Sequence, residues 1–329
     1  MLTWPHAQND WAKRLTEVEK FFIQLTREIS LHELCLIVCF DNNHRQRIEY
    51  LLIDAQVNIK NLRFGIAASN DVWARDHGPI TIFVNGEIHL LDFRFNGWGN
   101  KYPAALDNRI TAELGQQKIW GHHPLQSIDF VLEGGSIETD GQGTLLVTSS
   151  CLLTPNRNPG MGREQIDQHL KQYFNLDNVL WLSHGQLTGD DTGGHIDTLA
   201  RFCDKNTIAY VACEDPEDEH YDSLRQMKLE LKTFLNHSKQ AYGLVPLPLP
   251  SAKLDPQGKR LPATYANFLI INNAVLVPTY NDTEDANALD TLQSCFPDRK
   301  IIGIDCSPLI QQFGSLHCVT MQLPVGVLN

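Results

Sequence analysis

Residues 130–147 read FVLEGGSIETDGQGTLLV, and this stretch contains the unit from which we predict the fold. An acid precedes two glycines in Glu133-Gly134-Gly135, and two apolar runs follow that are separated by Asp140-Gly141. Asp-Gly between such runs favours a β-hairpin, because both residues tolerate the positive φ of a tight turn. The stretch therefore predicts a strand pair that begins beside a charged, glycine-flanked segment.

The same order of amphipathic helix, short apolar strand and strand pair recurs along the chain. The clearest helix is expected near residues 219–236, where apolar side chains recur every three or four positions. The remaining predicted helices cover 10–29, 163–174 and 283–295, the short strands 34–40, 179–182, 242–246 and 300–304, and the strand pairs 78–95, 130–147, 195–213 and 265–280, with a final strand through Cys318.

The strand pairs are expected to begin at nearly regular intervals. Their first residues, separated by 51 to 72 positions, are Asp76, Glu133, His195, Asn267 and Cys318. Self-similarity at such a period indicates a repeat architecture, and five α/β units closed in a ring would bring the five positions together at its axis. The sequence thus predicts an α/β fold of five pseudo-symmetric blades, with one domain spanning residues 1–329.

The composition is that of a globular protein with an acidic surface. Hydrophobic residues make up 42% of the 329 residues, charged residues make up 20%, and the formal net charge is -12. Such a charge repels nucleic-acid phosphates and anionic lipid and attracts a small cation. We therefore expect a small-molecule partner, with no nucleic acid and no membrane.

The eight cysteines are scattered, and none forms a C-x-x-C pair of the kind that binds zinc. His122-His123 lacks further ligands at suitable spacing, so the sequence predicts neither a metal nor a cofactor. The N-terminus has no basic stretch followed by an apolar core, and no apolar run approaches the ~18 residues of a membrane span. We expect a cytoplasmic protein with reduced thiols.

Cys318 and His195 together indicate a cysteine enzyme. The thiolate is the nucleophile, and an ordinary thiol supplies little of it at neutral pH, so such sites place a cation or an acid/base group beside the sulfur. His195, in the segment His195-Ile196-Asp197, is the candidate partner. A buried, inert thiol is the alternative for any single cysteine.

Several motifs in order resemble the agmatine deiminase family, which is related to bacterial peptidylarginine deiminases and belongs to the guanidino-group-modifying penteins, five-bladed α/β propellers. The resemblance spans nearly the whole chain and rests on Trp4-Pro5 with Asp10-Trp11, Trp73–Pro79, Asn96–Gly99, Glu133–Ile137, Thr154–Pro159, Asp191–Asp197, Tyr265 with Asn267-Phe268, and His317–Thr320.

The chain also departs from the family pattern near the expected pocket. Gln312-Phe313-Gly314-Ser315 replaces the usual three glycines and asparagine, and Gly193 and Thr198 stand where asparagines are usual. The resemblance consequently predicts the reaction more firmly than the substrate.

The resemblance implies a role for each candidate residue. Cys318 would attack the guanidinium carbon, and His195 would act as acid and then base. Asp76 and Asp197 would hold the planar N–H groups, and Glu133 would be a third acid that orients His195. The expected substrate-binding residues are Trp73, Asn267 and, for a distant amine, Asp10, Asp190 or Asp191.

Four functions remain open at this stage. The first is deimination of agmatine to N-carbamoylputrescine, and the second is deimination of free, peptidyl or C-terminal arginine. The third is a guanidine- or polyamine-binding protein without turnover, and the fourth is a metal protein that uses Cys318 and His195. The resemblance also makes a homodimer possible. Core packing is the alternative for Trp73, and an ion pair with Arg75 is the alternative for Asp76.

Overall fold

The computed structural model describes residues 1–328. It contains five three-stranded sheets. In chain order the strands are β1 Leu2–Thr3, β2 Cys35–Cys39, β3 Leu62–Ile66, β4 Ile80–Val84, β5 Glu87–Arg94, β6 Leu125–Val131, β7 Ile137–Thr139, β8 Thr144–Thr148, β9 Asn178–Leu182, β10 Ala200–Asp204, β11 Thr207–Val211, β12 Gly243–Leu247, β13 Leu269–Ile271, β14 Ala274–Thr279 and β15 Lys300–Asp305.

The helices lie mainly between the second and third strands of the sheets. They are α1 Leu15–Ser30, α2 Asn42–Asp54, α3 Ala74–His77, α4 Gly97–Asn100, α5 Ile110–Gln116, α6 Ser149–Leu152, α7 Arg163–Phe174, α8 Tyr221–Leu231 and α9 Asp285–Cys295, with short 3-10 turns at Asp10–Arg14, Ile59–Asn61, Asp107–Arg109, Gly134–Ser136, Ile196–Thr198 and Ile310–Gln312. In every sheet the second and third strands are parallel, as a helical crossover between them requires.

Three of the predicted hairpins are present, and Asn85, Gly86 and Gly141 have the expected positive φ. β4 and β5 pair antiparallel across Asn85-Gly86, and both residues have positive φ. β7 and β8 pair antiparallel across a turn with Gly141 at φ 67°, and β10 and β11 form a third antiparallel pair. The local sequence therefore accounts for the turns at Asn85-Gly86 and Gly141.

Two predicted elements differ in the structure. The helix expected over 219–236 covers only Tyr221–Leu231, although its buried stripe of Leu224, Met227 and Leu231 is as predicted. The final strand through Cys318 is wrong. Residues 316–319 form a turn in which the Thr320 N–H donates to the His317 carbonyl, and only Thr320 bridges to Leu2.

The chain divides into two compact units. The first unit comprises residues 1–134, 270–273 and the segment from His317 onward. Its core packs side chains from residues 1–134 against side chains from the segment after His317, including Leu36, Leu90, Trp120 and Met321. The second unit comprises residues 135–269 and 274–316. The expectation of one domain spanning 1–329 stays a prediction. Within residues 1–328, no helix is long and apolar enough to cross a membrane.

Candidate active site

Asp76 lies on the short helix α3 of the first unit and is buried. Its Oδ2 accepts a hydrogen bond from the Trp98 indole N–H at 2.9 Å. Trp98 itself has left-handed backbone angles, φ 56° and ψ 50°, which are costly for a bulky residue. Asn96 holds this conformation, because its side chain accepts a hydrogen bond from the Gly99 N–H at 2.9 Å. The strained turn therefore aims an indole donor at the Asp76 carboxylate.

The segments that carry Cys318 and Glu133 both meet α3 at Arg75. The Arg75 N–H donates to the Cys318 carbonyl at 3.1 Å. A Cβ on Gly134 would lie 2.2 Å from the Arg75 carbonyl oxygen, so only glycine allows this approach. Cys318 is 7% exposed, and Glu133 is fully buried. In the first unit, the segments that carry Asp76, Glu133 and Cys318 therefore meet at Arg75.

The Arg75 side chain fixes the turn that contains Cys318. Its guanidinium donates to the Met321 sulfur at 3.6 Å and to the Gln322 side chain, and its Nε lies 3.5 Å from the His317 carbonyl. His317 is also buried. Arg75 therefore connects α3 to the turn at three places beyond the backbone hydrogen bond.

Trp73 lies immediately before α3 and is packed in an aromatic and acidic surrounding. Its ring centroid is 5.9 Å from that of Trp11, and both side chains donate hydrogen bonds to the Asp71 carboxylate. Burial raises the pKa of Asp71 to about 6, although these donors oppose the shift. Trp73 is therefore packed within the first unit, and its contact with substrate stays a prediction.

Asp107 holds the backbone of Asn70 and Asp71, just before Trp73, by hydrogen bonds. Its Oδ1 accepts the N–H groups of Asn70 at 2.6 Å and Asp71 at 3.2 Å. Burial raises the pKa of Asp107 to about 8, and the nearby charge of Asp71 adds to the shift. The carboxyl group is therefore largely protonated at neutral pH.

His195 begins the 3-10 turn Ile196–Thr198 in the second unit and is 1% exposed. Its N–H donates to the Thr192 hydroxyl at 3.1 Å, and its carbonyl accepts the Thr198 hydroxyl at 2.8 Å. Asp197 lies two residues on and is fully buried. His195 and Asp197 are two residues apart in the sequence, and this turn fixes the backbone that carries both of them.

Asn267 contacts the same turn. Its side-chain amide donates to the Asp197 carbonyl at 3.2 Å, and Thr264 donates to the Thr198 carbonyl at 2.9 Å. Asn267 is fully buried. It therefore supports the backbone that carries Asp197, and its predicted contact with substrate stays a prediction.

Asp190 and Asp191 lie in the loop that precedes His195, and both are half-buried. The Asp190 carboxylate accepts the Thr192 hydroxyl at 2.6 Å with one oxygen and the Gly194 N–H at 2.6 Å with the other. Asp190 thus organises its own loop, whereas Asp10, the other candidate for a distant amine, is exposed on the first unit.

A second thiol lies beside His195. The Cys151 sulfur and a ring nitrogen of His195 are within 4.8 Å of each other, and both residues are buried. Cys151 is in α6, which the Thr148 side chain caps by accepting the Cys151 N–H at 3.3 Å. The Thr148 hydroxyl also donates to the Gly194 carbonyl. Sequence reasoning missed Cys151, because the nearby Thr154–Pro159 motif does not show that this thiol packs beside His195.

Trp98 and Arg75 were also missed as site residues. Trp98 could have been found from its position between Gly97 and Gly99, since paired glycines indicate unusual backbone around a retained aromatic residue. No sequence signal points to the contacts of Arg75 with the Cys318 turn, because these residues are separated by more than 240 positions.

Comparison with known proteins gives matches over nearly the entire chain. The family described as Porphyromonas-type peptidyl-arginine deiminase matches residues 1–324. A Vibrio parahaemolyticus protein provisionally named an agmatine deiminase is 33% identical over 98% of this chain and 93% of its own length.

Solved structures agree with this result. A Porphyromonas gingivalis protein provisionally named an arginine deiminase is 52% identical, with a TM-score of 0.94 over 100% of this chain and 96% of that chain. A cysteine-to-serine variant of C. jejuni agmatine deiminase with substrate bound is 41% identical, with a TM-score of 0.89 over 97% of this chain and 91% of that chain. With the five small sheets, these matches confirm the predicted five-bladed α/β fold class.

Proposed function

Because the chain belongs to the family of Porphyromonas-type peptidyl-arginine deiminases, we propose that it hydrolyses the guanidinium group of agmatine to N-carbamoylputrescine and ammonia. The chain is a hydrolase of guanidino groups. The observation that carries the finer proposal is the meeting of the Asp76, Glu133 and Cys318 segments at Arg75 in the first unit.

Binding of the cation is the first step. A guanidinium stays protonated and spreads its charge over three nitrogens, so it is a poor electrophile until it is held and oriented. Asp76 and Asp197 accept its N–H groups in charge-assisted hydrogen bonds worth ~1.5 to 3 kcal/mol each. The Trp98 donor at 2.9 Å fixes the direction in which the Asp76 carboxylate faces. Trp73 contributes an aromatic face to the cation.

Formation of the covalent intermediate follows. The Cys318 thiolate attacks the guanidinium carbon to form a C–S bond, and His195 donates a proton to the departing nitrogen. The C–N bond breaks, ammonia leaves, and an amidino-thioether cation remains on Cys318. The bound cation favours the thiolate beforehand, because positive charge near a thiol lowers its pKa.

Hydrolysis completes the cycle. His195, now without its acidic proton, takes a proton from water while the water oxygen bonds to the amidino carbon. The C–S bond then breaks, the thiolate is restored, the second proton of the water passes to solvent, and the product leaves with a ureido group. Glu133 orients the imidazole through both proton transfers.

Agmatine is favoured over arginine by the charges at the candidate residues. Arginine carries an α-carboxylate that calls for a cation in its pocket, whereas the distant amine of agmatine calls for an acid. Asp10, Asp190 and Asp191 are the candidate partners for that amine. The net charge of -12 agrees with a dicationic substrate.

Arginine deimination is the second candidate, and specific matches favour it. The family description names peptidyl-arginine, and a structure that is 52% identical is provisionally named for arginine. Ammonia release should be measured with agmatine, free arginine, methylated arginines and a peptide ending in arginine. We expect the highest kcat/KM for agmatine, and a higher value for any arginine compound would replace agmatine as the substrate.

A further inference from the structure

The loop of residues 183–194, which precedes His195, cannot hold its shape by local preference alone. Gly185, Gly189, Gly193 and Gly194 all have positive φ, between 90° and 112°. Glycine at such positions leaves the unfolded loop with many alternative conformations. The loop must therefore be ordered by contacts with its surroundings.

The half of the loop next to His195 is held from within the site. Arg157 donates to the Thr192 carbonyl at 2.5 Å, and the Thr148 hydroxyl donates to the Gly194 carbonyl. The half that includes Thr188 is held by a different group of side chains, at the beginning of α8. The two halves therefore have separate anchors.

His220 is the centre of this second anchor. It is 3% exposed, and its Nε2 lies 2.8 Å from the Thr188 N–H. A backbone N–H can only donate, so Nε2 must be the acceptor and carries no proton. The ring proton is therefore on Nδ1, which lies 2.8 Å from Asp218 Oδ1.

Charged partners fix the orientation of the imidazole. Asp218 Oδ2 accepts a hydrogen bond from Arg260 at 2.8 Å. Although burial opposes the shift, donors from Arg260 and His220 lower the pKa of Asp218 to about 2. Glu219 accepts the Thr188 hydroxyl at 2.8 Å. A Cβ on Gly189 would lie 2.4 Å from the Arg260 carbonyl oxygen, so the Arg260 backbone also packs directly against the loop.

We propose that His220, as the Nδ1-protonated imidazole, is a positioning residue that holds the Thr188–Asp191 part of the loop for substrate binding. The inference rests on the proposed function, in which Asp191 is a candidate partner of the distant amine. Because Arg157 and Thr148 hold the part next to His195 independently, loss of the His220 acceptor should raise KM more than it lowers kcat.

Two substitutions of His220 test the Nε2 acceptor for Thr188 separately from the Nδ1 donor to Asp218. In His220→Gln the amide oxygen can reach the position of Nε2 and accept the Thr188 N–H. In His220→Asn the amide nitrogen can still donate to Asp218, but the side chain is too short to reach Thr188. His237→Asn, at an exposed histidine in the same unit, is the matched control.

Hydrogen–deuterium exchange of peptides covering residues 183–194 gives a readout that does not require activity. We expect His220→Asn to speed exchange there about tenfold, and His220→Gln and His237→Asn to match the wild type. With agmatine, we expect His220→Asn to raise KM about tenfold while kcat changes less than about threefold.

Unchanged exchange in His220→Asn, or equal disturbance by both His220 variants, would overturn the anchor. Faster exchange with unchanged KM, or with an equal loss in kcat, would overturn the positioning role. If no guanidino compound is a substrate of the wild type, the proposed function fails, and the exchange result alone still decides whether His220 anchors the loop.

Discussion

At the scale of single residues, the Trp98–Asp76 hydrogen bond supports the proposal that Asp76 orients the substrate. A strained backbone persists only where its surroundings compensate for it, and here Asn96 and the buried indole do so. The strain is consistent with a requirement for an N–H donor at this place. An aromatic side chain without that donor would fill the same space.

Trp98→Phe is therefore expected to lower kcat/KM for agmatine by about 10- to 100-fold, the value of one hydrogen bond to a charged group. The reason is that Asp76 loses its orienting donor while most of the packing remains. Steady-state kinetics checks this, with circular dichroism to show that the variant is folded. Wild-type kcat/KM in a folded Trp98→Phe protein would contradict the role of the indole.

Two thiols are candidates for the nucleophile once the structure is considered. Cys318→Ser should reduce ammonia release at least ~1,000-fold, because a serine hydroxyl is a far weaker nucleophile than a thiolate. Cys151→Ser should retain activity within about tenfold, since the proposed mechanism uses the His195 imidazole and not its neighbouring sulfur. The opposite order of the two variants would assign the nucleophile to Cys151.

Residue types could be predicted from the sequence, but their surroundings could not. Glycine-flanked acids and a distant His and Cys indicated Asp76, Glu133, His195, Asp197 and Cys318, and all five are buried. Cys151 is an ordinary apolar-run cysteine in the sequence, and it approaches His195 only because α6 packs there. Long-range packing of this kind has no local signature.

At the scale of elements, hairpins were predicted well and the end of the chain was not. Asn85, Gly86 and Gly141 adopt the positive φ of their turns, which these residue types tolerate. The segment around Cys318 has the apolar, β-branched character of a strand, yet hydrogen bonds from Arg75 and Thr320 hold it as a turn. Tertiary contacts override local preference there.

Asp107, at the start of the 3-10 turn Asp107–Arg109, allows a prediction of how the free energy of unfolding depends on pH. A carboxyl group whose pKa is raised on folding keeps its proton longer than in the unfolded chain. Its stabilising contribution is fully present below the unfolded value of ~3.9 and is lost as the pH rises through the folded value. For Asp107 the folded pKa is about 8, because of burial.

Asp107→Asn should consequently flatten the decline of unfolding free energy between pH 5 and pH 8, by up to about 1.4 kcal/mol per pH unit. The asparagine oxygen can still accept the N–H groups of Asn70 and Asp71. Urea unfolding at several pH values measures the effect, with Asp129→Asn at an exposed position as the control. Parallel pH profiles for the wild type and Asp107→Asn would show that Asp107 ionises normally in the fold.

At the scale of the whole molecule, the near-periodic spacing predicted five α/β units, and the structure has five three-stranded sheets. The period could be found because strand pairs recur along the chain, although β1 and β2 pair parallel and form no hairpin. The sheet β1-β2-β3 includes the N-terminal strand β1, whose Leu2 also bridges to Thr320. No local pattern indicates that a two-residue strand at the start of the chain has this place.

Other whole-molecule expectations remain predictions. They include a cytoplasmic location, a homodimer and the lack of nucleic-acid partners, none of which follows from the fold of one chain. The choice of substrate also depends on few residues. The departures from the family pattern at Gly193, Thr198 and 312–315 lie within or next to the motifs that carry the resemblance.

The central claim is that Cys318 carries the substrate as an amidino-thioether during turnover. Acid quenching of the wild type during steady-state reaction with agmatine, followed by peptide mass spectrometry, tests it directly. We predict that the peptide containing Cys318 gains the mass of agmatine less ammonia, and that the peptide containing Cys151 does not. Rapid ammonia release with the label on Cys151, or with no label in the quenched enzyme of a reaction limited by hydrolysis, would contradict the account.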